Sequence, residues 1–432
     1  MSRIAVIGSG ISGLSAAWHL SAVNAGHEVV VFEAGRHFGG HANTVDVTID
    51  GVTHGVDTGF LVYNERTYPG LIAMFDELGV HRTPSEMSFS VQSPQGADRG
   101  NLEWSGRSLN ALYAQRSNLL RPRFWGMLRD ILRFNQLATA LANTESDVAL
   151  TQPIGEFLDE HGFGKAFRED YFLPMVACIW SCPTEQMLRF PIATMIRFCH
   201  NHGLLQVANR PQWFTVTGGS REYVRKIMAG LKDVRLNMPV NGVKRSAAGV
   251  ILETPLGPET FDAVVLACHS DQALALLGAA ASSKERELLG AIRYQANRAV
   301  LHTDTALLPQ KRKAWAAWNY ERAVKTDTEQ AQVCLHYLLN ILQPLPWQQS
   351  VIVSLNPVRE PNPLKVIQEI SYEHPVFDQA AIDAQSHLPA IQGKGGIWYA
   401  GAWCGYGFHE DGYQAGMRVA EAIDCQHKRQ GI

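Results

Sequence analysis

The chain has 432 residues, of which 46% are hydrophobic and 18% charged, enough for one large core or two ordinary domains. This composition excludes a disordered or collagen-like protein. Lys and Arg number 38 against 41 Asp and Glu, a net charge of −3, so the chain has no overall electrostatic reason to bind nucleic acid.

The chain opens on a pattern of strand, turn and helix. Residues 4–7 are an apolar run that predicts a buried parallel strand, and apolar residues from Leu14 onward fit one face of a helix. The turn between them, residues 8–13, is Gly-Ser-Gly-Ile-Ser-Gly, the dinucleotide-binding fingerprint in the setting that it requires. We expect this turn to meet the cofactor's pyrophosphate through Gly8, Gly10, Ile11, Ser12 and Gly13.

A second apolar strand, residues 28–32, ends on an acid, Glu33. Glu33 follows Gly13 by twenty residues, where an acid accepts hydrogen bonds from the adenosine ribose. It disfavours a phosphorylated ribose, but the fingerprint alone does not separate NAD from FAD.

The segment after Glu33 carries further information about the cofactor. It reads Ala34-Gly35-Arg36-His37-Phe38-Gly39-Gly40-His41. This segment resembles the RxGGR element of the flavin amine oxidase and phytoene desaturase superfamily, in which an Arg and two glycines line the pyrophosphate and the flavin. The resemblance implies that FAD is the cofactor and that it contacts Ala34, Arg36, Gly39 and Gly40. His41 replaces the second Arg of the element, which leaves the nature of its contact open.

Three later segments resemble other motifs of the same superfamily. Residues 216–221 resemble a turn that opens a helix returning to the cofactor domain. Residues 239–243 resemble a strand whose valine backbone meets the adenine, which makes Val240 the candidate for that contact. Residues 261–268 resemble the apolar strand of the third nucleotide-domain motif.

The carboxyl end, residues 396–416, predicts a strand, a glycine-rich loop and a helix, and resembles the superfamily's last flavin motif. The resemblance implies cofactor contacts at Gly401, Ala402 and Gly412. The superfamily usually has an acid after the strand's glycine, and here Ala402 stands there. Glu410 or Asp411 could supply that acid, and either could instead cap a helix.

Catalytic candidates lie within the same motif. His409 could act as a base near neutral pH, or it could be a satisfied core histidine. Trp403 and Tyr406 could form an aromatic wall over the flavin, or they could fill the core. Cys404 could attach the flavin covalently, although a small buried thiol is more common. The seven scattered cysteines include no CxxC pair and predict no metal site.

The motifs predict an α/β fold. It consists of a doubly wound Rossmann-type FAD-binding domain, glutathione-reductase-like, and a discontinuous α+β substrate domain that is amine-oxidase-like. The predicted FAD-binding domain takes residues 1–80, 211–272 and 391–432, and the substrate domain takes 81–210 and 273–390.

The resemblance implies an FAD-dependent oxidoreductase. It is nearest to an NAD/FAD-binding subgroup whose members are commonly encoded near cyclopropane fatty acid synthases. That setting implies an apolar or lipid substrate, a modified fatty acyl chain of a phospholipid, which is dehydrogenated (desaturated) by hydride transfer to FAD. Oxygen or another acceptor would reoxidise the flavin. One alternative is a flavin amine oxidase, and a second is a flavin-dependent isomerase without net oxidation.

Residues 119–142 combine arginines with apolar residues at helical spacing. Such a stretch either lies on an anionic membrane or packs on its own domain. The scattered cysteines suggest no disulfide framework, so we expect a cytoplasmic protein, as a monomer or homodimer. Peripheral contact of residues 119–142 at the inner face of the membrane is the alternative that a lipid substrate favours.

Overall fold

The computed structural model describes residues 2–22, 26–93, 101–143, 152–180, 187–206, 210–322 and 333–429. Its strands in chain order are β1 (Ser2–Ile7), β2 (His27–Phe32), β3 (Thr44–Ile49), β4 (Val52–Asp57), β5 (Tyr63–Asn64), β6 (Arg82–Ser85), β7 (Phe89–Ser93), β8 (Leu102–Ser105), β9 (Trp213–Val216), β10 (Asp233–Arg235), β11 (Gly242–Ser246), β12 (Gly249–Thr254), β13 (Gly257–Phe261), β14 (Ala263–Leu266), β15 (Arg293–His302), β16 (Trp318–Glu321), β17 (Cys334–Leu338), β18 (Ile352–Leu355), β19 (Val366–Val376) and β20 (Ile397–Tyr399).

The helices in chain order are α1 (Ile11–Leu20), α2 (Pro69–Glu77), α3 (Leu109–Leu112), α4 (Pro122–Ala142), α5 (Ile154–Glu160), α6 (Lys165–Phe167), α7 (Leu173–Trp180), α8 (Ile192–Asn201), α9 (Arg221–Gly230), α10 (Ser270–Leu277), α11 (Ser283–Gly290), α12 (Leu339–Leu342), α13 (Gln379–His387) and α14 (His409–Arg429). Within the described ranges, no helix is both long enough and apolar enough to cross a bilayer.

A five-stranded parallel sheet forms the nucleotide-binding half. Its order is β10-β2-β1-β14-β20, and Ile4 of β1 lies opposite Val29 on one side and Ala263 on the other. The strands inside the sheet are largely apolar because helices cover both faces, as is usual for parallel sheets, whereas the edge strand β10 is Asp-Val-Arg. The predicted α/β class, the first two strands and the strand of the third nucleotide motif are confirmed.

A seven-stranded mixed sheet forms the second half, in the order β19-β15-β18-β17-β16-β7-β8. The helices of residues 122–201 share its core, the largest in the described chain, and an aromatic cluster around Phe134, Phe167 and Phe172 joins several of them. Buried aromatic rings of this size dominate core energetics, so this half has its own stable core.

The packing refines the predicted domain boundaries. Helices α10, α11 and α13 fall within or across the predicted substrate segment 273–390. Their apolar residues, including Ala273, Leu288 and Ala381, pack in the same core as β1 and β14. Because each helix buries its apolar face against the parallel sheet, we assign these helices to the nucleotide-binding half. The division into two domains stays a prediction.

The structure corrects the strand predicted around Val240. Residues 239–241 are not part of a strand, and β11 begins at Gly242. This strand belongs to a separate antiparallel sheet of β11, β12 and β13. The segment before it is held instead by Glu33, whose carbonyl accepts the Met238 N–H at 2.9 Å. Val240 therefore lies in a connection beside the end of β2.

Candidate functional site

A cavity of about 800 Å³ is lined by residues of both halves of the molecule. One end is formed by the turn after β1 and by the end of β2, and the other end reaches the seven-stranded sheet at Trp318 and Tyr337. The end formed by the turn matches the place where open α/β sheets bind ligands, beyond the carboxyl ends of their strands. Its lining thus runs from the nucleotide-binding turn to the face of the seven-stranded sheet.

The glycines of the first turn explain the shape of that end. Gly8 has a φ of 102°, which favours glycine, and a Cβ on Gly13 would lie 1.9 Å from the Gly8 carbonyl oxygen. Helix α1 can therefore approach the turn only because residue 13 has no side chain. A Cβ on Gly10, in contrast, would have no atom within 4 Å. The backbone at Gly10 is open to the cavity, as a bound pyrophosphate requires.

Glu33 lies at the end of β2 and lines the cavity. One carboxylate oxygen accepts the Ser9 N–H at 2.9 Å, and the other accepts the Gly35 N–H at 2.7 Å. The carboxylate thereby joins the first turn to the segment after β2. It has further lone pairs available for the ribose hydroxyls that the sequence predicts.

His41 lies next to this turn and is the most informative polar group in the cavity. Its ring stacks on Tyr372 at 4.8 Å and lies 5.3 Å from His374. Its Nε2 atom is buried and has no hydrogen-bond partner among the described residues. Burial and the neighbouring His374 lower the pKa of His41 well below its usual value. A neutral imidazole with an unused nitrogen fits a polar ligand such as FAD.

Most predicted site residues line the cavity. They are Gly8, Gly10, Ile11, Ser12, Glu33, Ala34, Gly39, Gly40, His41, Val240, Gly401, Ala402, Trp403, Tyr406 and His409. The structure does not bring Gly13, Arg36, Glu410, Asp411 and Gly412 into its wall. Gly13 and Gly412 act through packing, because a Cβ on Gly412 would meet Ile11 at 2.6 Å. The cofactor contacts of the lining residues remain predictions.

Three of the remaining residues have other surroundings in the structure. Arg36 is exposed and does not line the cavity, although Ala34 and Gly39 on either side of it do. Glu410 accepts the Gly70 and Leu71 N–H groups at 3.0 and 2.9 Å, so it caps α2 with both oxygens. Asp411 accepts the Phe408 N–H at 2.9 Å ahead of α14, and burial raises the pKa of Asp411 to about 6. The helix-cap alternative explains both acids, because free N–H groups at helix starts need acceptors.

His409 stands at the first position of α14 and faces the cavity. Its Nε2 lies 3.2 Å from the Tyr223 hydroxyl, and its ring stacks on Phe60 with 3.7 Å between centroids. Burial lowers the pKa of His409 to about 3. The imidazole is therefore neutral near pH 7 and a weak base, which favours hydrogen bonding over proton abstraction.

The other candidates of the last motif differ in exposure. Trp403 is only 2% exposed and donates its indole N–H to the Cys268 carbonyl at 3.0 Å. Tyr406 is 43% exposed at the cavity wall. Burial raises the pKa of Cys404 to about 12, and Cys404 does not line the cavity. A protonated thiol is a poor nucleophile, so the geometry disfavours covalent attachment through Cys404.

The far end of the cavity is apolar and aromatic. Its wall includes Trp104, Tyr171, Met175, Ile179, Trp318, Tyr337 and Val353. Arg210 is the one Lys or Arg among the described lining residues, and its Nε donates to the Gln206 carbonyl at 2.8 Å. The Tyr171 hydroxyl has no hydrogen bond to a described residue. Burial raises the pKa of Tyr171 to about 12, and the nearby charge of Arg210 opposes that rise.

Sequence reasoning missed Arg210, Phe60, Tyr372 and His374 as cavity residues. Arg210 and Phe60 occur outside any motif, and Tyr372 and His374 belong to β19, more than three hundred residues after the first turn. Only the folding of β19 beside β15 brings them to the cofactor end. No local pattern signals that approach.

A buried polar cluster lies on the other face of the seven-stranded sheet. Glu321 accepts hydrogen bonds from His336 Nε2 at 2.9 Å and from Arg359 Nε at 2.6 Å. Burial by itself lowers the pKa of His336, but the Cys334 sulfur and the Glu321 carboxylate outweigh it and raise the pKa to about 9. Glu321, Cys334 and His336 are close enough to share a metal ion. The Arg359 and His336 donors already satisfy Glu321, so the geometry favours a closed ion-pair network.

Comparisons with known proteins agree with this geometry. A family model described as flavin containing amine oxidoreductase matches residues 11–311. None of the curated proteins matches the sequence. Among solved structures, a CLA-producing fatty acid isomerase from P. acnes is 16% identical, with a TM-score of 0.68 and coverage of 98% of both chains.

Two amine-acting proteins have the same fold. Cyclohexylamine oxidase from Brevibacterium oxydans IH-35A is 16% identical, with a TM-score of 0.68 and coverage of 99% of both chains. Putrescine oxidase bound to putrescine is 16% identical, with a TM-score of 0.65 and coverage of 98% of both chains. At this identity the likeness establishes the fold alone.

Proposed function

The chain belongs to the flavin-containing amine oxidoreductase family and is an FAD-dependent oxidoreductase, and from this premise we propose that it dehydrogenates an apolar acyl chain that ends in an anionic group. FAD, when bound, accepts a hydride equivalent from the substrate. The observation that carries the proposal is the far end of the cavity, where an aromatic and aliphatic wall includes Arg210 as its cation.

The apolar wall would hold the chain by burying it away from water. Trp104, Trp318 and Tyr337 present large rigid surfaces that suit a methylene chain without hydrogen-bonding groups of its own. Arg210 and the Tyr171 hydroxyl would bind a carboxylate or a phosphate, since a guanidinium pairs with either group through two parallel hydrogen bonds. The substrate would thus be fixed at one end and aligned along the cavity.

Charge near the cavity supports an anion over a protonated amine. Burial lowers the pKa of His202 and of His374 to about 4, so these lining imidazoles are neutral at pH 7. The carboxylates among the described lining residues are Glu33 and Glu373, and Glu33 lies at the nucleotide end, where we expect it to bind the ribose. An amine would have to bind in its neutral form beside Arg210.

Residues of the last flavin motif would limit the access of water to the reacting carbon. His409, stacked on Phe60 and bonded to Tyr223, closes part of the wall with a neutral polar ring. Trp403 and Tyr406 extend this wall on the side of the last motif. An aromatic wall of this kind would suit hydride transfer, since excluding water prevents side reactions.

The test is anaerobic mixing of the FAD-loaded protein with three substrate pools while the flavin absorbance is recorded. The pools are free fatty acids with modified chains, phospholipids carrying the same chains, and biogenic amines. Lasting bleaching by either acyl pool supports the proposal. The pool that bleaches the flavin shows whether the anionic group is the carboxylate of a free fatty acid or the phosphate of a phospholipid. Bleaching by amines alone would overturn it in favour of a flavin amine oxidase.

An isomerase without net oxidation is the second candidate, because the fatty acid isomerase from P. acnes has the same fold. Such an enzyme would convert an acyl pool to an isomer without lasting bleaching. Product analysis by mass spectrometry separates the cases, since dehydrogenation lowers the substrate mass by two hydrogens and isomerisation leaves it unchanged.

A further inference from the structure

A surface formed by residues 107–133 displays apolar side chains to solvent. Leu109, Leu120 and Leu132 are 78%, 87% and 55% exposed, and Leu119 and Trp125 are 44% and 48% exposed. These five account for nearly half of the large exposed hydrophobic residues in the described chain. Clustered exposed apolar residues mark an interaction surface, whereas scattered ones need no explanation.

The helix within this segment, α4, has two distinct faces. Phe124, Met127 and Phe134 are buried in the core of the seven-stranded half. Trp125 and Leu132 are seven residues apart and lie on the opposite face, with Arg129 between them. The buried face fully explains how α4 packs on its own domain. In the described part of the chain, Trp125 and Leu132 stay about half exposed to solvent on this outer face.

Arginines are concentrated around these residues and outnumber the acids, although Arg107 pairs with Glu86, Arg123 with Asp170 and Arg129 with Asp130. Six arginines occur within residues 101–143, at 107, 116, 121, 123, 129 and 133. The two acids of that segment, Glu103 and Asp130, are both buried. Glu103 also accepts the Gln310 and Lys311 N–H groups at 2.9 Å, which brings the exposed run Lys311, Arg312 and Lys313 beside the same surface.

We propose that this surface, residues 107–133 with 311–313, binds the chain peripherally to an anionic phospholipid bilayer. Leucine and tryptophan side chains insert into the boundary between headgroups and acyl chains, while surrounding arginines attract anionic headgroups. The local charge is opposite to the net charge of −3 of the whole chain, so attraction would orient the molecule with this face toward the lipid.

The segment also connects this surface to the cavity. Trp104 and Gly106, just before Leu109, line the cavity wall. The surface and the cavity wall are therefore joined by a short stretch of chain. The binding itself does not depend on which substrate the enzyme oxidises, so it is tested separately from the proposed function.

The test is co-sedimentation of the full FAD-loaded chain with vesicles of phosphatidylcholine, with or without phosphatidylglycerol. We expect binding to the anionic vesicles, weakened by high salt because the arginine contribution is electrostatic. Leu120→Ser combined with Trp125→Ser should lower the partition coefficient about tenfold or more, since both apolar anchors are removed. Arg116→Gln combined with Arg129→Gln should weaken binding to anionic vesicles only.

Matched controls are Leu364→Ser and Leu256→Ser, whose side chains are 94% and 76% exposed elsewhere on the surface. They should bind as the wild type does. Failure of the wild type to sediment with anionic vesicles would overturn the proposal, as would an equal loss in the controls. A lipid-free dimer that the Leu120 and Trp125 substitutions dissociate would assign the surface to a second copy of the chain instead. Flavin absorbance of each variant confirms that it is folded.

Discussion

The imidazole of His409 lies nearly parallel to the ring of Phe60, with 3.7 Å between the centroids and 11° between the planes. This contact, with the Tyr223 hydroxyl at Nε2, buries the ring and lowers the pKa of His409 to about 3. A general base works best when its pKa lies near the operating pH. The position of His409 in a flavin motif therefore suggests a base, while its surroundings indicate a neutral wall residue.

Replacement of His409 tests this distinction. We expect His409→Gln to bind FAD and to lose less than about tenfold in the rate of anaerobic flavin reduction, because loss of a general base costs about 10²–10⁴-fold. Stopped-flow absorbance across the neutral pH range measures both the rate and its pH profile. A hundredfold loss, or disappearance of a neutral ionisation from the profile, would return His409 to the role of base. Tyr223→Phe, which removes only the hydrogen-bonding hydroxyl, is the matched control.

Glu33 and Arg36 form a pair for testing the cofactor contacts. Glu33→Ala should yield largely flavin-free protein, because it removes the predicted ribose acceptor and the carboxylate that joins Ser9 to Gly35. Arg36→Ala should keep the wild-type flavin content, because Arg36 is exposed and outside the cavity wall. The ratio of flavin to protein absorbance after purification measures both. A flavin-free Arg36→Ala protein would restore the contact that the motif implies.

The sequence predicts the first turn, the first two strands and Glu33 because their contacts are local. Strand, turn and helix follow each other directly, and the glycine spacing reflects steric needs within that unit, such as the 1.9 Å approach at Gly13. The same logic holds for the last motif, where the strand, the glycine-rich loop and α14 are consecutive.

Local patterns could not predict the remainder of the site. His374 reaches His41 only through the pairing of β19 with β15, and Arg210 reaches the apolar cavity only through tertiary packing. The last motif predicts Glu410 either at the cofactor or as a helix cap. The structure shows that it caps α2, which lies more than three hundred residues earlier in the chain. Contacts across such separations depend on the folded topology, which spacing does not encode.

Arg210 should control the affinity for an anionic substrate. Arg210→Met keeps much of the side-chain length and removes the charge, so we expect KM for an acidic acyl substrate to rise about tenfold or more with little change in kcat. Steady-state kinetics with the acid and with its uncharged methyl ester measure the effect. The ester should bind the wild type and the variant equally. A loss of the same size for both compounds would indicate a packing role for Arg210.

The Glu321 and His336 ion pair predicts a pH dependence of folding stability. The pKa of His336 is about 9 in the folded chain and about 6.5 when unfolded. The ion pair therefore stabilises the fold fully below about pH 6.5, and this contribution is lost as the pH rises through about 9. At about 1.36 kcal/mol per pKa unit, the difference between 9 and 6.5 sets an upper limit of about 3–4 kcal/mol. Urea unfolding at several pH values measures it. His336→Gln should abolish most of this dependence, whereas the exposed His37→Gln should retain it.

Gly10 and Gly13 separate cofactor binding from folding within one turn. A Cβ on Gly10 would meet no atom within 4 Å, so Gly10→Ala should fold with a nearly unchanged melting temperature. The added methyl group would occupy the space beside the backbone that the pyrophosphate needs, so the flavin content should fall strongly. Gly13→Ala would place its Cβ 1.9 Å from the Gly8 carbonyl oxygen, and we expect it to destabilise the fold by several kcal/mol or to prevent folding. Thermal unfolding of the flavin-free proteins compares the stability of the two variants. Titration of the folded proteins with FAD compares their affinity for the cofactor. A Gly10→Ala protein that binds FAD as tightly as the wild type would show that the pyrophosphate does not lie against this turn.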